Sequence, residues 1–184
     1  MNLALFKKLK SGAGFTVAEM LTVAAIFVIV GTLVIAGFNS GTRRSELILA
    51  TDEMASNIRK MQTATLTGIA TGEIAPTGGY GLYFNLAQNN QYLLFRDGGD
   101  QVYTAGSDII IQTIALPAGI TLSGLTADPL TVVFKPPKPT IYFNGATAAN
   151  LAAISLISSN VSDKQGQIAI NRITGQVSSQ LINQ

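Results

Sequence analysis

The chain has 184 residues, 47% of them apolar and only 12% charged, with neither cysteine nor histidine. These absences exclude disulfides, thiolate metal sites, cysteine nucleophiles and lipid attachment through cysteine, and they remove the commonest general base and the commonest neutral metal ligand. The net charge of +2 is misleading: Lys7, Lys8 and Lys10 all precede the main apolar run, and without residues 1–14 there remain 9 basic and 10 acidic side chains. That balance argues against a broad nucleic-acid footprint.

The first element is the run "GFTVAEMLTVAAIFVIVGTLVIAGF" from Gly14 to Phe38, whose one ionisable side chain is Glu19. Phe15–Phe38 is 24 residues, about 36 Å as a helix, enough to cross a hydrocarbon core of about 30 Å with some tilt. Three lysines stand before the run, a bias that favours a short N-terminus inside and the bulk of the chain outside. A carboxylate at bilayer depth costs about 2.5–3.5 kcal/mol, so Glu19 needs a partner or a task. A secretory signal has a shorter apolar region and then a cleavage site. A plain single-pass anchor fits the length but gives no reason for Glu19. A buried helix of a soluble protein would need a larger domain around it.

Leu47, Met54, Ile58 and Met61 follow at helical spacing among Glu46, Asp52, Arg59 and Lys60. This predicts an amphipathic helix over 39–68 that continues the apolar one and packs under a globular head. The stretch "TLTGIATGEIAPTGGYG" ends the helix and opens a loop. From there to residue 184 the pattern is β-rich: "YGLYFNL", "QYLLFRD", "DIIIQTIAL", "GITLSGL", "LTVVF", "TIYFNG", "AISLIS", "QIAINRI" and "QVSSQLI" alternate with turn signals. Pro136, Pro137 and Pro139 mark a connection or a sheet edge. The class is α+β.

Asp97, Asp100 and Asp108 share the segment "RDGGDQVYTAGSD". Hard oxygen ligands on one loop suit Ca²⁺ in kind. The spacing is not that of an EF-hand, however, and Asp-Gly-Gly-Asp has the chemistry of a turn; the turn is the preferred reading, and no metal or cofactor is expected. Lys135, Lys138, Lys164 and Arg172 are the scattered basic residues of the later chain and read as solvated loop charges. Without histidine, cysteine, a G-x-S-x-G elbow or a phosphate-binding glycine loop, catalysis is not expected.

"KKLKSGAGFTVAEMLTVAAIFVIV" resembles the class III signal of type IV prepilins and type II secretion pseudopilins: a basic leader, Gly14 at the junction, Phe15 as first mature residue, then Thr16 and Glu19. "QYLLFRDGGDQVYTAGSDIIIQTIALPAGITL", "TIYFNG" and "QIAINRITGQVS" are similar to the middle and the closing hairpin of minor subunits of the pseudopilin H (GspH) and FimT type. Tyr92 stands where that family often has Trp, and Gln176 where it often has Arg.

The resemblance implies a pilin-like architecture with a leader over 1–14, a transmembrane and assembly helix over 15–38, the amphipathic continuation over 39–68 and the head over 69–184. It implies that a prepilin peptidase cuts after Gly14 and N-methylates Phe15, with Lys7, Lys8 and Lys10 as the leader's basic residues. Glu19 would then pair with the Phe15 amine of an adjacent subunit, one helical turn away in register. The implied partners are other pilins or pseudopilins in a filament, the peptidase, an inner-membrane assembly platform and membrane lipid. The implied place is the cytoplasmic membrane, N-terminus in and head out, and then the filament. The role would be a minor subunit of a type IV pilus or type II secretion pseudopilus, against a major pilin or an uncleaved membrane-tethered binding domain.

Overall fold

The apolar run and the amphipathic stretch form α1, Val17–Thr67. The computed structural model describes residues 14–67, 78–138 and 140–183, with backbone alone at 36–41 and 162. Lys7, Lys8 and Lys10, the rest of the expected leader before Gly14, and the Gly/Thr/Pro stretch over 68–77 lie outside the described residues. The chain divides into two units, residues 1–39 and 40–184.

In the first unit Val17–Ile35 is long and apolar enough to cross a membrane, and none of that window is buried. Its side chains face solvent among the described residues: Phe27, Val28 and Leu33 are exposed together with Val17, Leu21 and Ile35.

In the second unit the rest of α1 lies against the β-rich part of the chain. Leu47, Met54, Ile58 and Met61 are all buried, as their spacing predicts, each contributing about 1.5–3 kcal/mol by leaving water. Ala50, Ala55, Ala64, Thr51 and Thr65 widen the stripe. The two threonines are tolerated there because their hydroxyls donate to backbone: Thr51 Oγ1 to the Leu47 carbonyl and Thr65 Oγ1 to those of Met61 and Phe134.

Nine strands follow among the described residues: β1 Tyr80–Phe84, β2 Gln91–Arg96, β3 Ile109–Ala115, β4 Ile120–Leu125, β5 Leu130–Lys135, β6 Thr140–Phe143, β7 Leu151–Ser158, β8 Val161–Asn171 and β9 Val177–Asn183. They make two antiparallel sheets, ordered β3-β2-β1-β5-β6 and β4-β7-β8-β9. Apolar residues of both sheets join the α1 stripe in one core. The α+β class is as the sequence predicts.

Several strand limits differ from the sequence pattern, and two of them have a visible cause. Leu86 leaves the first strand run because Asn85 caps a short 3₁₀ turn, its side chain accepting from the Ala87 amide. Strand β8 starts at Val161, well before the apolar run "QIAINRI", since Val161 and polar Gln165 pair with Ser158 and Ile157 of β7 and Lys164 pairs with Asn183 of β9. Gly166 lies inside that strand because α1 passes so close that a Cβ would stand 2.1 Å from Thr51 Oγ1.

Candidate functional site

At the N-terminal end of α1, Thr16 and Glu19 hold one another. The Thr16 amide and hydroxyl both donate to Glu19 Oε2 at 2.8 Å, and the Glu19 amide donates back to Thr16 Oγ1 at 3.2 Å. This reciprocal arrangement is a capping box, which satisfies donors that a helix start would leave orphaned. Its sequence signal, Thr-x-x-Glu just before an apolar run, is present at 16–19, and a reading centred on the charge of Glu19 passes over it. The box gives Glu19 a partner inside its own chain and places its carboxylate at the helix mouth, where the macrodipole favours negative charge.

Phe15 is 80% exposed beside this box. Gly14 is under no steric demand: a Cβ there would meet nothing within 4 Å. Its conformation does not call for glycine either, in contrast with Gly175 at φ 71° in the β8–β9 hairpin.

The three aspartates of the loop between β2 and β3 come together, with one carboxylate oxygen from each within 4.8 Å of the others. Each is also engaged by the loop itself. Asp97 accepts from the Gln101 amide, Asp100 from the amide of Val102 and the hydroxyl of Thr104, and Asp108 from the amides of Gly98 and Thr104. The turn chemistry expected of Asp-Gly-Gly-Asp is thus visible bond by bond. Burial, together with a hydrogen bond to Asp100, pushes the Asp97 carboxyl up to about 6, while the Val102 amide draws Asp100 below its ordinary value. Beneath the loop, Tyr103 packs on Tyr83 and Phe95 with ring centroids 4.6 and 5.2 Å apart.

The basic residues are mostly engaged locally rather than gathered into a patch. Arg172 donates to the Ala149 carbonyl at 3.0 Å and to Asn150 Oδ1 at 2.9 Å, Lys164 donates to Asn183, and Lys135 lies 6.0 Å from the centroid of the Tyr142 ring. Lys138 and Arg172 line one open recess of about 590 Å³ with Gln62 and Ile173. Tyr92 is buried, with its hydroxyl accepting from Asn57 at 2.9 Å, and burial pushes it up to about 12.

These residues define an α+β protein: an N-terminal helix whose opening apolar stretch is bare, and a two-sheet antiparallel head carrying a carboxylate loop. Among solved structures the chain is similar to the type IV minor pilin FimU of Pseudomonas aeruginosa strain PAO1, at 12% identity and a TM-score of 0.48, over 76% of this chain and 91% of that one. A likeness that slight assigns no function. The sequence matches no protein-family profile. No curated protein matches it either.

Proposed function

We propose that the chain is a minor pilin or pseudopilin subunit, processed after Gly14 by a prepilin peptidase, N-methylated on Phe15, and assembled through its apolar helix into a type IV pilus or type II secretion pseudopilus. The observation that carries this reading is the bare apolar helix opening on Gly14-Phe15-Thr16-x-x-Glu19. Among the described residues nothing gives Gly14 a steric reason to be glycine, which fits a residue chosen for a peptidase. The exposed Val17–Ile35 surface needs lipid or neighbouring helices to leave water. Proteolysis would create a cation at Phe15 one helical turn from Glu19, and in register with a neighbouring subunit the two charges would satisfy each other.

The domain boundaries follow from this reading: leader 1–14, assembly helix 15–38, amphipathic continuation 39–68 and head 69–184. The chain would sit in the cytoplasmic membrane with its head outside until it polymerises, with the peptidase, the assembly platform and other pilins as partners.

One observation favours a second reading, an uncleaved tethered domain: the capping box satisfies Glu19 without any new amine. N-terminal mass spectrometry of the membrane-extracted protein separates the two. Processing predicts loss of residues 1–14 and one added methyl group on Phe15; an intact Met1 overturns it.

A further inference from the structure

The two sheets have four edges, and three of them are blunted. Strand β9 has its Val177 carbonyl taken by Arg59 of α1 at 2.8 Å, and Ser179 donates to Asp52. Strand β4 carries a bulge, and its Leu122 amide donates to the Asn89 carbonyl. Strand β6 is four residues long, and Ala146 pairs with Phe143 on both amide and carbonyl. These are the devices by which natural proteins prevent stray strand pairing.

Strand β3 shares only the bulge, with Ile111 as the extra residue opposite β2. Ile109–Ala115 is seven residues of "IIIQTIA", without a charge, proline or glycine. Among the described residues it pairs only with β2, and no hydrogen bond among them reaches its outer side. Ile109 and Ile110 are 53% and 47% exposed. Alongside it runs a groove of about 350 Å³ between the strand and the last turns of α1, lined by Met61, Ala64, Leu94 and Ile111, with Lys60 and Gln112 also on its wall. Lys60 makes no ion pair among the described residues.

We infer that β3 is a strand-addition site for an extended segment of another polypeptide, apolar on alternate residues and carrying one carboxylate. An incoming strand would take the open backbone groups of β3. Because side chains alternate between faces, every second one would point into the groove, and a carboxylate among them would meet Lys60. Backbone pairing alone accepts any sequence; the groove and Lys60 supply the selection. A second copy's β3 has no carboxylate to offer, which is why the occupant is a different segment. The inference stands whether the chain polymerises or acts as a tethered domain.

The test uses the full chain in detergent micelles and a dye-labelled peptide alternating Val and Thr with a single Glu, followed by fluorescence anisotropy and hydrogen exchange. Saturable binding is expected, with exchange slowed at 109–115. Thr113→Pro, which blocks the edge, or Thr63→Trp, which fills the groove from its α1 wall, should abolish it. Lys60→Glu should weaken binding about tenfold, and a peptide with Lys in place of Glu should restore it to that variant. Absence of binding up to about 1 mM overturns the proposal. So does protection confined to other strands, or a concentration-dependent dimer of the chain that protects 109–115 without peptide.

Discussion

Two stretches of α1 carry apolar side chains and treat them in opposite ways. Over Val17–Ile35 none is buried. Over the part in the second unit Leu47, Met54, Ile58 and Met61 are withdrawn from water by strands of the same chain. Burial therefore follows from what stands opposite a helix, not from helicity or apolar content. The first stretch is apolar all round, so no single face of one small domain could cover it; the second has a stripe, and a stripe can be covered.

The largest effect expected from this contrast lies at the first stretch. Glu19→Gln keeps the capping box, since Gln can still accept from Thr16, but removes the charge. If Glu19 neutralises a neighbour's Phe15 amine, the orphaned cation costs about 3–5 kcal/mol and incorporation into sheared filaments falls at least tenfold. Wild-type filament content in Glu19→Gln, with a deficit in Glu19→Ala, would leave the cap as the residue's whole task.

Next comes a pair of truncations that sets the two stretches side by side. Ile58→Ala should destabilise the head by about 2–5 kcal/mol through a core cavity. Leu33→Ala should change it by less than about 0.5 kcal/mol. Thermal unfolding in detergent, followed by near-ultraviolet circular dichroism of the tyrosines, checks both. Equal losses would break the contrast. Gly166→Ala sharpens it, because the added methyl meets the Thr51 side chain, and a loss of about 1–3 kcal/mol is expected by the same measurement.

The smallest effect is at the carboxylate loop. Folded Asp97 holds its proton up to about pH 6, whereas an unfolded aspartate releases it near pH 4. This contribution is fully present below the unfolded value and fades as pH rises through about 6, so the melting temperature should rise slightly on acidification from pH 7 to pH 5 in chelator-treated buffer. The lowered Asp100 acts in the opposite sense, losing its contribution only on further acidification below its ordinary value. Asp97→Asn should flatten the dependence between pH 4 and 6; an unchanged slope would place its origin elsewhere.

How far the sequence was legible depended on where the signal lay. The stripe could be read at Leu47, Met54, Ile58 and Met61 but not at Thr51 or Thr65, whose burial rests on carbonyls that only the folded helix and β5 bring within reach. The apolar runs located the nine strands, yet β8 extends back to Val161 because a paired neighbour can hold polar residues extended. At the candidate sites, Gly14, Phe15 and Glu19 stood out through charge and resemblance. The Thr16 to Glu19 box was written in the spacing and needed only a local rule. The Asp97, Asp100 and Asp108 cluster was legible as a set, but not the raised Asp97 carboxyl, which depends on burial that only the fold supplies.

The sequence by itself determined that a long apolar helix precedes a β-rich head and that a single acid opens that helix, because periodicity and local capping act over a few residues. Only the tertiary structure decided which sheet edges are blocked, how closely α1 approaches Gly166, and which aspartate is buried. Each of those depends on atoms brought together from far apart in the chain, and hydrophobic pattern carries no record of their distances.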